Sequence, residues 1–183
     1  SRMMDAGRSF SGNERNCFSI NLGNGKFADI SGLSGLDFPD DGRAISVTDW
    51  DNDGDLDLWI TNRNAPRLRL MRNDTKEVNT FISLRLSGNG KTVNKDAIGA
   101  RIEIINGNDS GKFKQIKTLR AGQGFLSQSS KWIQFALNET IESINIKISW
   151  PDGTVSKIED VLPNKKYIIR QENSTAEEVK LES

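Results

Sequence analysis

Apolar and polar residues alternate along most of this 183-residue chain. The segments 56–60, 82–86 and 144–150 each carry an apolar side chain at every second position. Successive side chains of a strand point to opposite faces of its sheet, so a period of two predicts strands with one buried face. The pattern therefore predicts a protein built from many short strands.

Turn-forming residues separate these segments: an Asn-Gly pair at 24–25, a Gly-Asn-Gly run at 88–90 and a Pro-Asp-Gly run at 151–153. Proline presets the first turn dihedral and glycine accepts a positive φ, so both residue types favour tight connections. No segment of ten or more residues has helical periodicity before the polar tail at 173–183, for which a frayed helix and disorder both remain open. Short strands joined by such turns predict an all-β protein.

The character of the sequence changes in the polar segment 73–79, between a first half that contains an acidic loop and a second half with longer alternating segments. We place the domain boundary there. The prediction is a first domain over residues 1–76, a second over 77–172 and a polar tail over 173–183.

The segment 49–59, DWDNDGDLDLW, concentrates negative charge at every second position. Its five aspartates are Asp49, Asp51, Asp53, Asp55 and Asp57. Like charges this close repel one another unless a cation or water compensates them. Calcium takes six to eight oxygen ligands, and a tight loop can bring alternate positions around one centre. The spacing therefore predicts a Ca²⁺ site.

The glycine within this segment supports the same interpretation. Gly54 permits a sharp reversal, after which Asp55 offers its backbone carbonyl and Asp57 closes the site. Ile60 stands where a helix-flanked calcium loop has its glutamate, so we expect a site between two strands. The alternatives are a solvated acidic turn and a magnesium site, although magnesium rarely uses a dedicated protein cage.

A second candidate site lies in the segment 119–130, LRAGQGFLSQSS, where glycines allow close backbone approach and polar side chains offer hydrogen bonds. The candidate ligand or partner contacts are Arg120, Gln123, Ser127, Gln128, Ser129 and Ser130. The alternative is that these residues satisfy backbone groups at the rim of a sandwich.

Composition excludes several classes of function. Lysine plus arginine and aspartate plus glutamate number 25 each, so no overall positive charge favours nucleic acid, and we predict no nucleic-acid partner. There is no histidine and Cys17 is the only cysteine, which excludes internal disulfides, Cys/His zinc sites and histidine-dependent triads. No apolar stretch approaches the ~18 residues of a membrane span.

The segments 21–31 (NLGNGKFADIS) and 42–62 (GRAISVTDWDNDGDLDLWITN) resemble an FG-GAP (VCBS-type) repeat over residues 16–73. The resemblance implies one four-stranded antiparallel blade of an integrin-like β-propeller, with the five aspartates binding calcium. A propeller needs at least four blades, so we interpret the chain as the carboxy-terminal part of a longer protein.

The segments 96–101 (DAIGAR), 122–130 (GQGFLSQSS) and 150–154 (WPDGT) resemble an ASPIC/UnbV domain over about residues 80–170. Such domains follow FG-GAP repeats in the cartilage acidic protein family and in many secreted bacterial proteins, which implies a β-sandwich-like domain beside the blade. One departure is at 134–138, QFALN, where relatives tend to show His-Phe-Gly-Leu-Gly.

These inferences favour a non-catalytic, calcium-binding extracellular module, at a cell surface or in a bacterial periplasm, for adhesion or for binding a glycan or a protein. The alternative is an enzyme, or an accessory domain of one, that acts on carbohydrate or a natural product, because some ASPIC/UnbV relatives lie in biosynthetic clusters. A deep pocket with two carboxylates of raised pKa would favour the alternative.

Overall fold

The computed structural model describes residues 14–75, 80–106, 114–137 and 141–180, so part of the predicted interdomain segment, 76–79, lies outside the described residues. The strands are β1 (Ser19–Gly23), β2 (Lys26–Asp29), β3 (Gly42–Thr48), β4 (Asp57–Asn62), β5 (Leu68–Met71), β6 (Thr80–Ser87), β7 (Arg101–Asn106), β8 (Lys114–Thr118), β9 (Ile133–Leu137), β10 (Ile144–Ser149), β11 (Val155–Val161), β12 (Lys165–Arg170) and β13 (Ala176–Glu178), and the helix is α1 (Ser31–Ser34). The all-β prediction is confirmed. Within these ranges no helix has the length and apolar character needed to cross a membrane.

The second half of the chain forms two four-stranded sheets, β11-β10-β7-β8 and β13-β12-β6-β9, which share one core. Strands of the first sheet contribute buried Ile102, Ile104 and Ile146, and strands of the second contribute Leu84 and Phe135. Apolar residues at alternate positions thus face each other across a sandwich, as the period of two requires.

The polar tail differs from its prediction. Ala176–Glu178 form β13 and pair antiparallel with β12, whereas the sequence suggested a frayed helix or no regular structure. The physical reason is that β12 offers the tail an open edge of backbone N–H and C=O groups. β12 itself runs parallel to β6, and β6 pairs antiparallel with β9.

The first half also differs from the single four-stranded blade that the resemblance implied. Among the described residues it forms a three-stranded sheet, β3-β4-β5, and a separate hairpin, β1-β2. After β2 the chain turns through α1, and Gly35, which caps the end of α1, has a left-handed φ of 72°. β2 and β3 lie in different sheets. The three-stranded sheet leaves large apolar side chains exposed, including Ile45, Leu68 and Leu70.

The turn between β10 and β11 is held by one carboxylate. Asp152 accepts hydrogen bonds from the Thr154 hydroxyl (2.6 Å), the Thr92 hydroxyl (2.6 Å), the Thr154 backbone N–H (3.0 Å) and the Gln171 amide (2.8 Å). All four stabilise the charged form, so they hold the pKa of Asp152 far below its ordinary value of 3.8.

We therefore expect Asp152 to make stability pH-dependent on the acid side. Because its folded pKa is depressed, its contribution is fully present above pH ~3.8 and is lost as the pH falls from there towards the folded pKa. Carboxyl NMR titration should show Asp152 ionised below pH 3, and Asp152→Asn should flatten the acid limb of the melting temperature. An Asp152 carboxyl that titrates near 3.8 would contradict this expectation.

Candidate functional site

The acidic segment forms the connection between β3 and β4, so it is a loop between two antiparallel strands, as expected. Gly54 has φ 98°, which confirms the expected reversal at this glycine. Two aspartates also shape the backbone: Asp51 Oδ1 accepts from the Asp53 N–H (3.3 Å), and Asp53 Oδ1 accepts from the Asp55 N–H (2.8 Å). The loop therefore folds back on itself through its own side chains.

Three of the five predicted ligands converge. Asp49, Asp51 and Asp57 each offer one carboxylate oxygen, and these three oxygens lie within 4.8 Å of one another. Asp57 is only 1% exposed, and its two oxygens accept the backbone N–H groups of Trp50 and Asn73 (2.8 Å each). The carboxylates of the other two candidates, Asp53 and Asp55, are not part of this group.

The electrostatics of the loop follow from this crowding. Burial raises the pKa of Asp55, and repulsion from Asp53, Asp49, Asp57 and Asp51 raises it further. The negative charge of the five aspartates is therefore concentrated in this loop, which favours the binding of a cation.

One such cation comes from the second half of the chain. Lys166 on β12 places Nζ 2.8 Å from Asp49 Oδ2 and donates a hydrogen bond to Asn52 Oδ1 at 2.7 Å. The side chains of Lys166 and Asp49 are only 7% and 6% exposed. The sequence pattern did not predict this ion pair. The one indication of it was the position of Lys166 directly before the apolar residues 167–169.

Lys166 belongs to a buried polar row on the outer face of the second sandwich sheet. It pairs in register with Ser83 of β6, and Ser83 pairs with Gln134 of β9. Gln134 donates its amide N–H to the Gly54 carbonyl. Phe81 lies on the same face and approaches Gly54 so closely that no Cβ would fit there. The acidic loop is thus docked on this sheet by charge, hydrogen bonding and packing.

The second candidate site lines a cavity of about 720 Å³ between β3 and the edge of the sandwich formed by β8 and the segment 119–134. The structure brings five of the six predicted contact residues around it: Arg120, Gln123, Gln128, Ser129 and Ser130. The sixth, Ser127, lines a neighbouring cavity of about 640 Å³, and its hydroxyl donates to the Gln123 carbonyl.

Some of these residues also have the structural role that the alternative gave them. The Ser129 hydroxyl accepts from the Val47 N–H (3.1 Å), the Ser130 N–H donates to the Val47 carbonyl (3.2 Å), and the Ser46 hydroxyl donates to the Gln128 carbonyl (2.8 Å). This segment therefore holds β3 against the sandwich through its serines and its backbone.

Comparison with known proteins identifies an ASPIC/UnbV domain: the model of the ASPIC and UnbV family matches residues 90–176. The match contains β7 to β12 and ends at the start of β13, so it covers most of the sandwich. No curated protein matches the chain.

Proposed function

We propose that this chain is a non-catalytic, calcium-binding extracellular module in which an FG-GAP-type unit is joined to the ASPIC/UnbV domain and which binds a glycan or protein at a cell surface. The convergence of Asp49, Asp51 and Asp57 in the β3–β4 loop is the observation that carries the proposal. The ion would fix this loop and take no part in chemistry.

The residues fit a hard divalent cation. All three converging ligands are carboxylates, which suit calcium better than a soft metal. The side chain of Asp49 is buried, yet its Oδ1 accepts no hydrogen bond from the described residues, and a buried oxygen of this kind requires a partner. Lys166 pairs with Asp49, and Arg72 Nη1 lies 3.7 Å from Asp51 Oδ2, so two positive charges face a loop of five carboxylates and a net negative charge remains to be neutralised.

The exposed apolar face of the first sheet supports the FG-GAP interpretation. Leu68 and Leu70 lie on the same face of β5 and are 54% and 37% exposed. A repeat unit cannot bury such a face alone and packs it against a neighbouring unit.

The cavity supports binding over catalysis. Among the described residues that line it there is no aspartate or glutamate, so it holds no pair of carboxylates for acid–base chemistry. The raised pKa of Asp55 belongs to the acidic loop, because Asp55 does not line this cavity.

Calcium is expected to stabilise the folded chain, because the unfolded chain binds the ion poorly. Extracellular modules bind calcium with dissociation constants of roughly 10⁻⁴ to 10⁻³ M. At 10 mM calcium the gain is about 1.4–2.7 kcal/mol, or about 3–11 °C in melting temperature. Asp51→Ala should abolish this gain in thermal melts with calcium and with chelator.

The matched control is Asp160→Asn. Asp160 lies outside the acidic loop on β11, and its φ of 54° is one that asparagine tolerates, so the calcium response should remain. Identical melting curves of the unmodified protein in calcium and in chelator would contradict the proposal.

A further inference from the structure

The cavity beside the segment 119–130 has a charge that the chain as a whole does not have. The chain carries 25 basic and 25 acidic residues, but the cavity is lined by Arg101, Lys117 and Arg120 and, among the described residues, by no acidic side chain. A cleft lined by charges of one sign concentrates the field inside it. The cavity is therefore a local positive site on a neutral protein.

The three cationic side chains differ in the hydrogen bonds and ion pairs that they make within the protein. The Lys117 ammonium donates to the Gln134 carbonyl at 2.5 Å, and its partial desolvation lowers the pKa of Lys117. Arg101 Nε lies 3.6 Å from Glu103 Oε1, which is beyond hydrogen-bonding distance but close enough for an ion pair. Arg120 is exposed and has no hydrogen bond or ion pair with any described residue. The whole donor fork of Arg120 is thus available to a ligand.

The remaining polar groups of the cavity suit hydroxyl groups. Within the described chain, the side-chain amides of Gln123 and Gln128 make no hydrogen bond, and both residues are exposed. An amide can donate to and accept from a sugar hydroxyl at the same time. Trp132 is half-buried in the same lining and offers an aromatic surface of the kind that packs against sugar rings.

We propose that this cavity binds an acidic oligosaccharide, with Arg120 as the carboxylate-binding residue and Gln123 and Gln128 as hydroxyl-binding residues. An arginine pairs with a carboxylate through two parallel hydrogen bonds, which a lysine cannot do. The volume of about 720 Å³ lies within the range of small-ligand sites and accommodates a few sugar units. The inference rests on the proposed binding function, whose ligand class it specifies.

The test is calorimetric titration with a tetrasaccharide of alternating glucuronate and N-acetylglucosamine, and with its carboxyl-reduced neutral form. We expect the acidic form to bind at least about tenfold more tightly than the neutral form, and Arg120→Ala to weaken its binding at least about tenfold. The control is Arg170→Ala, because Arg170 is exposed, pairs with Glu177 and lies outside the cavity. NMR spectra should show shifts of the Gln123 and Gln128 side-chain amides.

Four outcomes would overturn the inference: no binding of the acidic tetrasaccharide, equal binding of the neutral form, unchanged binding by Arg120→Ala, or tighter binding of a tetraglutamate peptide. Titrations in calcium and in chelator separate this result from the calcium proposal. Saccharide binding without any calcium-dependent melting shift would support the cavity assignment and contradict the calcium site alone. A calcium-dependent shift without saccharide binding would contradict the cavity assignment alone.

Discussion

Replacing Lys166 with methionine is expected to lower the free energy of unfolding by about 3–5 kcal/mol, because it removes one partner of a buried ion pair. Asp49 would remain buried next to Asp51 and Asp57 without the ammonium that now lies 2.8 Å away. Urea unfolding at neutral pH in the presence of chelator measures the loss. Added calcium should recover part of it, because the ion would replace the missing positive charge.

The neighbouring lysine supplies the control. Lys165 points to the other side of β12 and pairs with Glu178 at 2.6 Å on a more exposed surface, so Lys165→Met should cost much less. The double variant Asp49→Asn/Lys166→Met should be more stable than the sum of the single changes implies, because the two residues interact directly. Equal losses from the two lysine variants would contradict the buried pair.

Replacing Gly54 with alanine is expected to cost about 2–4 kcal/mol for two independent reasons. The φ of 98° is strained for a residue with a Cβ, and that Cβ would overlap the ring of Phe81. The same change should weaken the calcium response, since the loop would have to move away from the sheet that supports it. Chemical unfolding and the calcium melting shift are the measurements.

Gly153→Ala separates strain from overlap. Gly153 has a similar φ of 86°, but a Cβ there meets no atom within 4 Å, so only the strain of about 1–2 kcal/mol should remain. A second variant, Gly54→Ala/Phe81→Leu, should recover part of the loss by making room. If Gly54→Ala cost no more than Gly153→Ala, the close packing of the loop on Phe81 would be contradicted.

Local pattern was enough to predict the strands. The alternating segments 56–60, 82–86 and 144–150 all contain strand residues, because period two records burial along one chain segment. The acidic loop is also a local feature, because its aspartates lie within nine residues of one another. Its spacing therefore predicted a cluster of aspartates, and three of the five, Asp49, Asp51 and Asp57, do converge.

What the sequence did not predict depends on pairing between distant segments. Alternation of apolar and polar residues identifies a strand but not the strand it pairs with. The FG-GAP resemblance placed β1 and β2 in the same sheet as β3, whereas they form a separate hairpin. The row of Lys166, Ser83 and Gln134 exists only because β12 pairs parallel with β6 in one particular register. Arg120 was named as a contact residue, but the absence of acids around it is a property of the folded cavity.

The parallel pairing of β6 with β12 sets an order of events during synthesis. β12 is an inner strand of its sheet, yet it leaves the ribosome long after β6, and Lys166 follows Asn52 by 114 residues. Such high contact order slows folding, because the entropy of closing a long loop is lost before the contacts that compensate for it can form. During synthesis the acidic loop therefore lacks the Lys166 ammonium group until β12 has been made. Until then, dissolved cations and water must screen its carboxylates.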